Sequence, residues 1–271
     1  VTDTLWSDVS EFQVPASNAY PYHFICFRSN DGTYEDHHFV QNIAWARGAV
    51  HAGKLWGFMV YYFYRPGVNG AGVLMSRVGH PDADMAVMID VEGAGGQVSG
   101  NQSGAINAQH DQLAKWLGSP SRVVGYGNTS DLNALWPSKP RGLRIVVAAY
   151  GSNPGYPGKF AHQFTDRQNT APFGPSDFNS ADGMSASDLQ KMYGFTQPKP
   201  PPPPAASNVH TFTGGETMWD VAHSRGYPTT AAWLAHEGNL DVNVGAALIG
   251  LDEKALAAIK PAAGTKWLTN Q

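Results

Sequence analysis

The chain has 271 residues, of which 42% are hydrophobic and 15% charged, with a formal net charge of -4. That length accommodates one large and one small domain with ordinary packed cores. The sparse charge and the lack of a basic stripe make nucleic acid and acidic membrane surfaces poor candidate partners, and a neutral or sugar-like ligand suits the chain better.

Along the chain, short apolar runs with strand character occur at residues 23–27, 55–62, 86–89, 122–124 and 143–149. Helical patterns lie between them. Residues 38–52 place Phe39, Ile43, Ala46 and Val50 on one face, residues 104–117 form a second helix, and residues 187–193 a third, with Ser187 as its N-cap. The pair His37-His38 falls at the first helix start, on the surface. This alternation predicts an α/β fold with a mainly parallel sheet or a (β/α) barrel. Cys26, the only cysteine, excludes an intrachain disulfide and sits in an apolar run as a buried, inert thiol. No apolar stretch is long enough to insert into a membrane, and no charged-then-apolar leader opens the chain.

The run Gln197-Pro198-Lys199-Pro200-Pro201-Pro202-Pro203-Pro204-Ala205-Ala206 reads as an extended, semi-rigid spacer. It divides the chain into a domain at 1–196, a linker at 197–206 and a small domain at 207–271. In the small domain a strand is expected at 209–212, helices at 218–225 and 229–236, and a second strand at 242–249, an order of β-α-α-β. Residues 251–259 have helical composition.

In a parallel barrel the reactive groups project from the C-terminal ends of the strands. Asp8 follows Leu5-Trp6-Ser7, Asp90 and Glu92 follow Ala86-Val87-Met88-Ile89, and Asp177 precedes Phe178-Asn179. Residues two apart on a strand point to one face, so Asp90 and Glu92 enter one pocket, where neither can ionise without opposing the other. Glycoside cleavage uses that asymmetry: one acid protonates the leaving oxygen and an anionic partner stabilises the oxocarbenium-like transition state. Trp6, Trp45, Trp56, Tyr61, Tyr62, Tyr64, Tyr126 and Trp136 could line a sugar groove, although the core is the ordinary place for such rings. No H-E-x-x-H or Cys/His ligand spacing is present, so neither a metal nor another cofactor is expected. Gly93-Ala94-Gly95-Gly96 reads as a mobile loop beside the cleft.

These residues resemble the glycoside hydrolase family 25 muramidases. The resemblance rests on Asp8-Val9-Ser10-Glu11-Phe12-Gln13, on Gly32-Thr33-Tyr34 through Phe39, and on Ile89-Asp90-Val91-Glu92. Gly125-Tyr126, Ala148-Ala149-Tyr150, His162-Gln163-Phe164 and Asp177-Phe178-Asn179 follow in order. It spans roughly residues 3–195 and implies a flattened, irregular (β/α) barrel that cleaves the β-1,4 bond from N-acetylmuramic acid to N-acetylglucosamine. It further implies Glu92 as general acid, Asp90 as the partner that tunes it, Asp8 and Asp177 as the rest of the acidic floor, and Arg28, Tyr62, Tyr126 and Gln163 along the substrate. The family often has a Trp-Gln-Tyr-like strand where this chain has His162-Gln163-Phe164. A chitinase-like pattern would need another Asp at the position of Met88.

The small domain resembles a LysM module in His210-Thr211-Phe212, Gly214-Gly215-Glu216-Thr217-Met218-Trp219, Val221-Ala222, Trp233-Leu234, Gly238-Asn239-Leu240 and Val244-Gly245. That resemblance implies binding of N-acetylglucosamine-containing chains by two loops, through Gly215, Glu216, Thr217 and Met218 on one side and Asn239 and Leu240 on the other. A small helical docking domain is the alternative. Together the two resemblances imply a monomeric enzyme of peptidoglycan glycan strands, made in a host cytoplasm as a bacteriophage endolysin or else secreted. The competing readings are a wall-binding protein that has lost activity and a peptidoglycan amidase or peptidase, which would need a Cys-His nucleophile or zinc.

Overall fold

The apolar runs found in the sequence are buried along nearly their whole length, as strands covered on both faces are. In the computed structural model, which describes residues 3–195, 208–211, 214–224, 230, 252–260 and 266–269, the chain forms two units, Val1–Pro198 and Lys199–Gln271. The first unit runs β1 (Thr4–Val9), β2 (Phe24–Asp31), β3 (Tyr34–Glu35), α1 (Phe39–His51), β4 (Gly57–Phe63), α2 (Gly70–Val78) and β5 (Met85–Asp90). It continues through α3 (Ser103–Leu117), β6 (Val123–Asn128), α4 (Thr129–Ala134), β7 (Arg144–Ala148), β8 (Lys159–Thr170), β9 (Gly174–Ala181) and α5 (Ala186–Tyr193).

The sheet order is β1-β9-β8-β7-β6-β5-β4-β2-β3, and a further β1–β2 pairing closes eight of the nine strands into a barrel. Pairings are parallel around the ring except at β8–β9 and β9–β1, which are antiparallel. The fold is therefore mixed α/β on a barrel, as the alternation of elements implied, with its last stretch departing from strict β/α repetition. Those last strands, and β1, lie outside the apolar runs because their sequences are rich in polar residues.

Successive side chains on each strand alternate between two cores. Ile25, Phe27, Phe58, Val60, Val87, Ile89, Ile145 and Val147 face outward to the helices. Trp6, Phe24, Cys26, Met59, Ala86, Met88, Val124 and Val146 fill the barrel, joined by Leu189, Tyr193 and Phe195 from α5 and its end. A Cβ on Gly57 would lie 2.4 Å from the Phe195 ring, so only glycine lets that ring close the bottom of the barrel. The plugged end leaves the opposite, C-terminal end of the strands for polar groups.

Helix α1 buries Phe39, Asn42, Ile43, Ala46 and Ala49, the spacing of one apolar stripe. Helix α5 is capped by Ser185 rather than by Ser187. Ser185 accepts the Asp188 amide, and Asp188 accepts the Ser185 amide in return, a capping box that opens the helix at Ala186.

In the second unit, β10 (Asn208–Thr211) pairs antiparallel with β11 (Lys266–Thr269). Helices α6 (Met218–Ser224) and α7 (Glu253–Ala257) lie between them in sequence. Among the described residues the partner of β10 is thus residues 266–269; a further strand was expected at 242–249. That segment, the expected helix at 229–236 but for Thr230, and the linker at 197–206 lie outside the described residues. β11 is a short segment, Lys266-Trp267-Leu268-Thr269, with too little apolar pattern to mark it as a strand in the sequence.

Candidate active site

The acids are placed by register. Asp90 ends β5 and pairs with Tyr126 on β6 and Phe63 on β4, while Asp8 near the end of β1 pairs with Cys26 on β2 and Asp177 on β9. Paired residues in neighbouring strands face the same side, so these side chains share the barrel mouth. Asp8 and Asp90 are each only 5% exposed.

Two pairs of carboxyl groups result. The first is Asp90 with Glu92. Burial, then the Glu92 charge, pushes the Asp90 carboxyl well above the ordinary range. Burial also raises Glu92, partly opposed by its hydrogen bond with Asp90. Both carboxyls are thus raised and each opposes ionisation of the other, so the two titrate as a pair. The second pair is Asp8 with Asp177. Burial raises both, and Asp177, also facing the charges of Asp8, Asp166 and Glu92, is pushed up to about 8. Asp8 is the better supported anion. Asn179 Nδ2 donates to its Oδ2 at 2.6 Å and Gln163 Nε2 donates to the same oxygen at 2.9 Å.

A hydrogen-bonded frame holds these acids. Tyr126 donates to Gln163 Oε1 at 2.8 Å and Tyr150 donates to the same oxygen at 3.0 Å, which fixes the amide so that its NH2 points at Asp8. Tyr126 and Gln163 thus join the four acids, as the sequence suggested. Arg28, the register partner of Tyr61, is held by other acids: its Nε is 3.0 Å from Asp36, Nη2 is 3.3 Å from Glu11, and the Phe12 ring lies over its guanidinium.

Tyr62 is not in the mouth. Its side chain is fully buried in the outer core and its ring packs against Gly70, where a Cβ would come within 2.6 Å. The neighbouring Tyr61 takes the inward position and feels the charges of Asp8 and Asp90. A strand buried on both faces shows no polar alternation to say which face is which, so the sequence carried no signal to separate them. Asn179 did carry one, because it stands two residues after Asp177 on a strand and so shares its face.

Cys26 lies at the base of this pocket, fully buried. Burial, followed by the charges of Asp8 and Asp90, raises its thiol well above the ordinary value, the opposite of what a thiolate nucleophile requires. Among the described residues no group of three or more His, Cys, Asp or Glu side chains could hold a metal ion, and no helix is long and apolar enough to cross a membrane.

In the second unit, Thr217 is engaged in capping α6: its backbone N–H and hydroxyl donate to Asp220 at 2.8 and 2.7 Å, and the Asp220 amide donates back. Met218, expected on a sugar-binding loop, has its side chain buried. Gly215 is exposed with a positive φ of 95° and Glu216 is half-buried beside it. Trp219, 43% exposed, stacks on His223 at 3.8 Å. Asn239 and Leu240 lie outside the described residues.

No family model matches the sequence. Among solved structures, the barrel unit resembles the bacterial lysozyme from Streptomyces coelicolor, with a TM-score of 0.56, 19% identity, and 72% of this chain and 100% of that chain covered. It also resembles a family 25 glycosyl hydrolase from Bacillus anthracis, with a TM-score of 0.56, 13% identity, and coverage of 71% and 93%. The muramidase from Trichobolus zukalii aligns with a TM-score of 0.55, 20% identity, and coverage of 70% and 98%. The fold is thus a family 25 lysozyme-like (β/α) barrel. Over 247 residues the sequence is 38% identical to the uncharacterized protein Rv3766 of Mycobacterium tuberculosis (strain ATCC 25618 / H37Rv), covering 86% of this chain and 89% of that protein. The chain belongs to the same family as Rv3766.

Proposed function

We propose that this protein is a peptidoglycan hydrolase, an N-acetylmuramidase that cleaves the β-1,4 bond between N-acetylmuramic acid and N-acetylglucosamine. The observation that carries the reading is the coupled pair of raised carboxyls Asp90 and Glu92 at the barrel mouth, together with an Asp8 that Gln163 and Asn179 favour as an anion. Glu92 is the more exposed member of its pair and donates the proton to the glycosidic oxygen. Asp90 beside it tunes that acid, because its own raised carboxyl and Glu92 titrate as a pair. Positive charge then developing on the sugar meets the anionic side of the pocket at Asp8. The solved structures with this barrel that are named as lysozyme, muramidase or family 25 hydrolase support the choice of chemistry. The raised thiol of Cys26 speaks against a cysteine peptidase.

The second unit would hold the enzyme on the wall as a LysM-like module, which raises the local concentration of sites on an insoluble polymer. Its support is the order β10, α6, α7, β11 among the described elements. A bacteriophage endolysin, or alternatively a secreted wall hydrolase, is the biological role this architecture would serve.

The test is digestion of purified peptidoglycan by the protein and by Glu92→Gln, followed by borohydride reduction and identification of the new reducing end. Reduced muramic acid formed by the unmodified protein alone is the expected result. Released peptides without new reducing ends would move the chemistry to peptide bonds, and no release at all would leave a binding protein.

A further inference from the structure

The backbone on both sides of Glu92 is gripped by one neighbouring segment. The amide of Gly93, which completes the peptide unit after Glu92, donates to Asp131 Oδ2 at 3.0 Å. On the other side, the Val91 amide donates to the Tyr126 carbonyl at 3.0 Å. A Cβ on Gly127 would lie 2.6 Å from the Val91 oxygen, so β6 approaches this turn as closely as a backbone can.

Asp131 is itself held from two directions. Asn128 Nδ2 donates to its Oδ2 at 2.8 Å, and Asn128 Oδ1 accepts its amide at 2.8 Å. An acid that merely complemented the first turn of α4 would be satisfied by Asn128 and by the exposed amides of that turn. Asp131 instead spends the same oxygen on Gly93, in the loop that follows the proposed acid.

We infer that Asp131 is a positioning residue for Glu92: it fixes the peptide unit that carries the Glu92 side chain and places a further negative charge beside that carboxyl. This rests on the reading of Glu92 as the general acid. The charge acts in a crowded field, since Glu92 also faces Asp90 from β5, Asp8 from β1 and Asp177 from β9, with the hydroxyls of Tyr126 from β6 and Tyr150 after β7 nearby. After burial and the opposing bond from Asp90, Asp131 is the first of the charges that raise the Glu92 carboxyl. A like charge favours the protonated acid, the form that Glu92 must reach to donate.

Two substitutions separate grip from charge. Asp131→Asn keeps an oxygen for Gly93 and removes the charge, whereas Asp131→Ala removes both. The Glu92 side-chain carboxyl, labelled with 13C and assigned by its loss in Glu92→Gln, is titrated by NMR in the full-length protein and both variants, and amide exchange is read at Gly93. The Glu92 midpoint is expected to move to lower pH in both variants, with Gly93 protection kept in Asp131→Asn and lost in Asp131→Ala. On peptidoglycan, Asp131→Ala should lose on the order of tenfold in kcat with KM nearly unchanged, and Asp131→Asn should move the alkaline limb of the rate profile to lower pH. An unchanged Glu92 midpoint together with unchanged Gly93 protection in Asp131→Ala would overturn the inference. If the unmodified protein forms no new reducing ends, the proposed function fails, while the titration and exchange still decide what Asp131 does to Glu92.

Discussion

Asp8 and Asp177 are register partners across the antiparallel β1–β9 pair, so two acids from nearly opposite ends of the barrel unit stand side by side at its mouth. The reversal of β9 is what allows this. A strand running against the others begins at the mouth instead of ending there, so an acid early in β9 reaches the same place as acids late in β1 and β5.

The raised Asp177 carboxyl makes folding stability depend on pH. Its folded value of about 8 lies above the ordinary carboxylate value of 3.8, so its contribution is complete below about pH 4 and is lost as the pH rises to about 8. Melting temperatures of the unmodified protein should fall between about pH 4 and pH 8. Asp177→Asn should flatten that decline, because an amide has no proton to lose. Parallel pH-dependent slopes for the two proteins would show that Asp177 titrates normally in the fold.

Gln163 tests whether Asp8 must be an anion. Gln163→Ala removes one of the two amide donors to Asp8 and leaves Tyr126 and Tyr150 without their shared acceptor. The Asp8 carboxyl should rise further as a result, moving the acid limb of kcat/KM to higher pH, with a loss of roughly tenfold to a hundredfold at the optimum. The readout is the pH profile of reducing-end formation, and a profile of unchanged shape would count against an anionic Asp8.

Tyr62→Phe tests the assignment of that side chain to the outer core. Among the described residues the buried Tyr62 hydroxyl has no hydrogen-bond partner, so its removal should leave stability equal or higher by up to about 1 kcal/mol. Activity should be unchanged. A substantial rise in KM would place Tyr62 on the substrate after all.

Ser185→Ala removes the cap of α5 and should cost about 1 kcal/mol of stability, measured by urea denaturation. Because α5 packs at the plugged end of the barrel, the rate of glycan cleavage well below the melting temperature should not change.

The barrel was legible where burial on both faces left continuous apolar runs, as in β2, β4, β5 and β7. It was not legible in β8 and β9, where Lys159, His162, Gln163, Asp166 and Arg167 interrupt the pattern and pairing along the long hairpin does the work that apolar side chains do elsewhere. The acids of the site could be found because Asp8, Asp90 and Glu92 follow apolar segments. Tyr61 could not be distinguished from Tyr62 without knowing the register, because inward and outward residues of β4 are equally apolar. Asp131 was hidden for a different reason: its partner is the backbone of Gly93, and a main-chain amide leaves no mark in a sequence.

The antiparallel closure at β1–β9 also sets the order in which the site can exist during synthesis. Asp8 is synthesised well before one of its amide donors, Asn179, which follows it by 171 positions. A nascent chain that ends before β9 carries Glu92, Asp90 and Asp8 on a sheet that β9 has not closed, without Asp177 and without the Asn179 amide on Asp8. Such long-range closure is slow to form, so the proposed lytic activity arrives only when the barrel unit is complete, and partial translation products should be unable to cut the wall.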